Sequence, residues 1–123
     1  MNGIINLLKP PGMSSNGATV FLRKLLNEKR VGHAGTLDPG AAGVLVVLAG
    51  RSARLSDFLM NHAKCYRAEI AFGKRTDTLD SYGQVLEERA CSVSRERLMQ
   101  AIPAFLGEIE QIPPDYSAVK IGG

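Results

Sequence analysis

The stretch Gly32-His33-Ala34-Gly35-Thr36-Leu37-Asp38-Pro39, continued by Gly40-Ala41-Ala42-Gly43 and the apolar run Val44 to Leu48, decides how this chain is read. One carboxylate sits in a glycine-rich loop at the mouth of a buried-strand pattern. Glycine lets the backbone take positive φ and come close to a ligand. Pro39 fixes the turn after the acid and pushes Asp38 itself toward an extended conformation. Such a loop presents one carboxylate at one place. An isolated Asp-Pro is ordinarily no more than a turn, so a functional reading of Asp38 needs the residues around it.

Upstream of the loop, Ile4 to Leu8 reads as a strand ended by Lys9-Pro10-Pro11-Gly12. Ser14 or Ser15 can cap a helix in which Ala18, Phe21, Leu22, Leu25 and Leu26 form an apolar stripe. Downstream, Val44–Leu48 is apolar throughout and reads as buried on both faces. Ala53 to Leu59 suggests a short helix. Cys65 to Phe72 alternates, with Tyr66, Ala68, Ile70 and Phe72 on one face, which predicts a strand. The polar turn Thr76–Gly83 follows, and Gln84–Glu88 reads as its return strand. Ser94 caps a last helix carrying Leu98, Met99, Ile102, Phe105 and Leu106; Gly107 ends it, and Pro103 should kink or split it. Strands and helices alternate without repeats or low-complexity linkers. The expectation is a single α/β (α+β) domain of mixed layers, with no internal boundary.

Bulk properties narrow the classes. Hydrophobic residues make up 45% and charged residues 22%, ordinary for a soluble globular chain. No apolar run approaches a membrane span, and residues 1 to 20 lack the pattern of a signal peptide. Cys65 and Cys91 form no ligand spacing and read as reduced thiols of a cytoplasmic protein. His33 and His62 stand alone, so no metal site is expected. Charge is uneven: residues 1–75 hold eleven Lys or Arg against four Asp or Glu, whereas residues 76–123 hold four against eight. The basic part contains Asp38. A lone acid among so many cations suits a polyanionic substrate, although any single one of them is most simply a solvated surface residue.

The Gly32–Pro39 block, with Gly43-Val44-Leu45 behind it, resembles the signature of the tRNA pseudouridine-55 synthases, the TruB family. Three further blocks agree in order. Lys9-Pro10-Pro11-Gly12-Met13-Ser14-Ser15 is similar to the family's N-terminal lysine-proline motif. Lys64 to Gly73 with Thr76-Asp77-Thr78-Leu79-Asp80-Ser81-Tyr82-Gly83 is similar to its tyrosine-bearing strand and following loop. Pro113-Pro114-Asp115-Tyr116-Ser117-Ala118-Val119-Lys120 is similar to a fourth. The resemblance implies a pseudouridine synthase fold, a mostly antiparallel curved sheet with flanking helices and an RNA cleft. It also implies that the family continues past residue 123, through further strands and usually a PUA-type domain. The chain is therefore expected to be the N-terminal portion of a catalytic domain.

The same resemblance assigns roles. Asp38 is the essential catalytic carboxylate in converting uridine 55 of the tRNA T arm to pseudouridine. It could attack C1′ or C6 of the nucleotide or take its 2′ proton, and the sequence leaves these routes open. His33 is implied as a substrate contact, and Tyr66 as an aromatic beside the flipped base. Charge and motif position make Lys9 and Lys64 candidate phosphate contacts. Isomerisation involves no redox or phosphate transfer, so no cofactor is expected. The family's arginine partner for the aspartate lies in its later sequence, so the chain alone is expected to be weakly active or inactive. The partner is tRNA, with no membrane and no metal. Self-association through an exposed sheet edge is a further expectation. The competing readings are a non-catalytic tRNA-binding or RNA-folding module and a nucleotide-binding enzyme. The second fares badly: Arg75 follows Gly73-Lys74 where a phosphate loop needs Ser or Thr, and Ala68 stands where it needs Gly.

Overall fold

The computed structural model describes residues 1–112; the predicted block Pro113–Lys120 lies outside them. Its contacts group into two compact units, Met1–Tyr66 and the residues from Arg67 onward, each described by itself.

The first unit is a three-stranded antiparallel sheet with a helix on one face. Strand Gly3–Lys9 (β1) leads through the Pro10–Ser14 loop into helix Ser15–Leu26 (α1), then strand Val31–His33 (β2) and strand Gly43–Ala49 (β3). The sheet order is β1-β3-β2, so β3 is central. Its register sets Gly3 opposite Ala49, Ile5 opposite Val47 and Lys9 opposite Gly43, with Val31 and His33 opposite Ala49 and Val47 on the other side. Directly opposed residues share a face. One face therefore carries Ile5, Leu7, Lys9, Val31, His33, Leu45 and Val47, and α1 packs there.

Helix α1 starts where Ser14, in extended conformation, accepts the Gly17 N–H at 3.0 Å. It ends at Asn27, whose left-handed φ of 46° closes the last turn onto the Arg23 and Lys24 carbonyls. Arg23 then reaches the Val31 carbonyl at 2.8 Å, tying the helix to β2. Its buried face is Ser15, Ala18, Thr19 and Leu22, with Leu26 packed beside the core. That face is rotated from the predicted stripe: Phe21 and Leu25 remain 52% and 66% exposed. Two small polar side chains, Ser15 and Thr19, turn inward in their place because each finds a carbonyl partner.

β3 is buried on its helix face at Leu45, Val47 and Ala49. On the other face Leu48 is fully buried, whereas Val44, Ile4 and Leu8 are exposed. The expectation of burial on both faces thus holds only at the C-terminal end of the strand. There a 3-10 turn over Gly50–Leu55 runs back along the sheet, followed by helix Ser56–Met60 (α2), close to the predicted Ala53–Leu59.

In the second unit, strand Lys74–Thr76 (β4) pairs antiparallel with strand Val85–Glu88 (β5). The polar turn and return strand appear as predicted, but the partner is β4 and the strand predicted over 65–72 is absent. Alternation makes a strand only where a neighbour supplies the ladder, and none pairs with 65–72 among the described residues. Between β4 and β5 the loop is cross-braced: the Asp77 carboxylate accepts the Thr78 and Gln84 N–H groups, and Asp80 accepts the Thr78 hydroxyl and the Tyr82 and Gly83 N–H groups. Ser94 caps helix Arg95–Ala101 (α3). Pro103 splits the helix as expected, and a 3-10 turn over Ile102–Phe105 follows.

Candidate active site

Asp38 lies between β2 and β3, on the loop that returns the chain to the central strand. Leu37 and Asp38 face opposite ways: Leu37 packs against the core while Asp38 is exposed. The backbone then turns, with the Ala41 N–H donating to the Asp38 carbonyl at 3.0 Å. Pro39 and Gly40 occupy the middle of that turn, the arrangement proline favours.

The loop is held on both flanks of the acid. Before it, the Ser15 hydroxyl accepts the Leu37 N–H and donates to the Leu37 carbonyl, each at 2.9 Å. After it, the Pro39 carbonyl accepts the Gly12 N–H at 2.8 Å and the Lys9 ammonium at 3.3 Å. Among the described residues the Asp38 carboxylate itself takes no hydrogen bond or ion pair. Its position is therefore set by anchored main chain, while its oxygens stay open to solvent and to a ligand.

Lys9 corrects the sequence reading. It is fully buried, and its ammonium donates to the Pro10, Met13 and Pro39 carbonyls at 3.1, 2.7 and 3.3 Å. An ammonium whose three protons are spent on carbonyls has nothing left for a phosphate. Lys9 instead fastens the proline-glycine loop to the Asp38 loop. Charge alone suggests an outward role; the carbonyls that draw the side chain inward come from residues one, four and thirty positions away, and the last of these no local pattern reveals.

Lys64 is exposed and reaches the same loop. A methyl group placed on Gly35 would sit 3.7 Å from Lys64 Cε, and Gly35 itself has φ +114°. The Lys64 ammonium donates to the Met60 carbonyl at 3.1 Å, leaving two protons for an anion. His33 ends strand β2 and does not sit in a loop as the sequence suggested; three residues are too short for a period to show. It is half-buried on the helix face of the sheet, and its Nδ1 has no hydrogen-bond partner among the described residues. Tyr66 is 66% exposed, two residues beyond Lys64, and makes no hydrogen bond to the Asp38 loop. The structure thus gathers Asp38, Lys9 and Lys64 at one loop, sets His33 on the strand that enters it, and leaves Tyr66 apart. Ser15, which the sequence marks only as a possible helix cap, is the helix residue whose bonds to the loop sequence reasoning misses; the doubled Ser14-Ser15 is its one visible signal.

Electrostatically the loop's unit is rich in exposed cations: Arg23, Lys24, Lys29, Arg30, Arg51, Arg54 and Lys64 are all open to solvent. An exposed carboxylate in such surroundings can react with a polyanion that the cations hold, and it needs no metal for a proton transfer or a nucleophilic attack.

Residues 23–123 match the family described as TruB family pseudouridylate synthase, N-terminal domain. Over its whole length the chain is 50% identical to a tRNA pseudouridine synthase B of Alkaliphilus oremlandii and to one of Symbiobacterium thermophilum, covering 41% and 42% of those proteins. It spans about two fifths of the curated relatives it matches. Among solved structures it is similar to a chain of a Cbf5-Nop10-Gar1 complex, at 32% identity and a TM-score of 0.68, over 96% of this chain and 31% of that one.

Proposed function

The chain belongs to the TruB family of pseudouridylate synthases, and from that premise we propose that it is the N-terminal portion of the catalytic domain of a tRNA pseudouridine synthase acting on uridine 55 of the T arm. The observation that carries the reading is Asp38: an exposed carboxylate, free of side-chain partners among the described residues, on main chain anchored at both neighbours. The names of the relatives supply the tRNA and the reaction.

The reaction breaks the N1–C1′ bond, turns the uracil and joins C5 to C1′; the C5 proton leaves and N1 gains one, so no atom is lost. A carboxylate held open serves as the nucleophile or base that such a rearrangement requires. Holding it still removes a positional uncertainty that would otherwise raise the barrier. Lys64, beside Gly35, is placed to take a backbone phosphate next to the reacting nucleotide. Tyr66, exposed, offers a ring for an unstacked base, and His33, half-buried at the root of the loop, is the further substrate contact of this reading.

The test is pseudouridine formation in an unmodified tRNA transcript by the full-length protein, by its Asp38→Ala variant and by the 123-residue chain. The full-length protein should convert uridine, Asp38→Ala should not while still binding RNA, and the chain alone should convert little or none. Conversion by Asp38→Ala at the unmutated rate would refute the role of Asp38. RNA binding without conversion by the unmutated protein would favour an RNA-folding module.

A further inference from the structure

We propose that Ser15 is a positioning residue for Asp38, acting through the backbone of Leu37; the proposal rests on the reading of Asp38 as the reacting carboxylate. Ser15 is the first residue of α1 and is 3% exposed. Its hydroxyl is not used to cap the helix, since Ser14 fills that place. It bonds instead to both polar groups of a single distant residue, accepting from the Leu37 N–H and donating to the Leu37 carbonyl at 2.9 Å each. One oxygen thereby fixes the peptide plane on either side of the Leu37 Cα, and the second of those planes is the one from which Asp38 departs.

The remaining freedom of Asp38 is small. Proline at position 39 confines its ψ to the extended range, and the Pro39 carbonyl is gripped by Gly12 and Lys9. The Leu37 side chain is seated in the core, with its Cδ1 3.6 Å from a methyl group placed on Gly43. Asp38 has no side-chain partner of its own among the described residues, so whatever holds Leu37 aims the carboxylate. α1 is itself seated on the sheet by Ala18 and Leu22, and Ser15 transfers that rigidity to the acid. Removing the hydroxyl frees both Leu37 groups to seek water, which lets the peptide rotate while the core stays filled.

The experiment compares Ser15→Ala with Leu26→Ala in the full-length protein, by single-turnover conversion of a tRNA transcript at saturating enzyme and by RNA affinity. Leu26 sits at the far end of the same helix, eleven residues or about 17 Å away, and controls for loss of helix stability. Ser15→Ala should lower the single-turnover rate by about tenfold to a hundredfold, the scale expected for a misplacement near 1 Å, with RNA affinity unchanged within twofold. Leu26→Ala, assayed below its melting temperature, should keep the unmutated rate. Equal loss in both variants would overturn the proposal, as would an unchanged rate in Ser15→Ala. A second measurement needs no variant. In the unmutated protein the Leu37 amide should exchange with solvent as slowly as that of Ala34, which donates to the Val46 carbonyl at 2.9 Å. A fast-exchanging Leu37 amide would overturn the clamp whether or not the protein modifies RNA. An unmutated protein that forms no pseudouridine while Leu37 stays protected would refute the reaction assigned to Asp38 and leave the clamp standing.

Discussion

Lys9 offers the sharpest division between a structural and an RNA-contacting role. Replacing it with Met keeps the length and apolar stem of the side chain and removes only the ammonium. The 2.7 Å bond to the Met13 carbonyl is the shortest of its three, and a hydrogen bond from a charged donor contributes about 1.5–3 kcal/mol. The 3.3 Å contact to Pro39 adds little, because that carbonyl keeps its Gly12 N–H. The Pro10 carbonyl belongs to an exposed residue and can turn to water. Relief from burying a charge offsets part of the loss. The net expectation is a destabilisation of about 2 kcal/mol, or roughly 5–10 °C in melting temperature for a domain of this size. Thermal unfolding followed by circular dichroism measures it. The second arm is the salt dependence of RNA affinity. A residue that neutralises one phosphate contributes about 0.7–0.9 to the slope of log affinity against log salt. Lys9→Met should leave that slope unchanged, whereas Lys64→Met should reduce it by nearly one contact and leave the melting temperature within a degree or two. A Lys9→Met protein that melts like the unmutated one and loses a full contact in the slope would refute the reasoning.

Two further outcomes follow from local geometry. The Asp80 carboxyl is held below its ordinary value, first by the Thr78 hydroxyl and then by the Tyr82 and Gly83 N–H groups. Its folded-state value lies below the unfolded one, so the bracing is fully present above the ordinary Asp range and is lost as pH falls through the lowered value. The amide resonances of Tyr82 and Gly83 should titrate together with a midpoint below that of an unperturbed aspartate; a midpoint at or above it would contradict the bracing. Gly50→Ala should cost about 2–3 kcal/mol in urea unfolding. Gly50 has φ +65°, and a methyl group there would strike the Met1 carbonyl and the Asn2 side chain that accepts the Arg51 N–H. A loss under about 0.5 kcal/mol would contradict this crowding and show that Met1 and Asn2 yield freely there.

What the sequence made legible, it made legible through local chemistry. Ser14 and Ser94 announce their helices because a hydroxyl before an amphipathic run has one obvious partner. Pro103 splits its helix because it lacks an N–H. The Asp38 loop is visible as a block of glycines around one acid. Most of the differences are non-local. The strand Val31–His33 exists because β3 offers it a ladder, and three residues carry no period of their own. The alternation over 65–72 promised a strand and found no ladder among the described residues. Hydrophobicity groups Phe21 and Leu25 with the buried stripe, whereas Ser15 turns inward to the distant Leu37 carbonyl and Thr19 to the Asn16 carbonyl of its own helix turn. Lys9 is likewise drawn inward in part by a distant carbonyl, that of Pro39.

The clamp around Asp38 also bears on when in folding the carboxylate is set in place. The bonds from Ser15 to Leu37 and from Lys9 to Pro39 join residues 22 and 30 positions apart. None can be made by a nascent turn; each waits for a long loop to close. Lys9 lies opposite Gly43 and Gly3 opposite Ala49, so the pairing that brings Lys9 to the loop needs a strand synthesised after the acid. During synthesis Asp38 emerges before its supports can meet, and the loop remains ordinary flexible chain until β3 is present. Closing the sheet and fixing the carboxylate in place are then one event, and a partly folded chain exposes the acid without holding it.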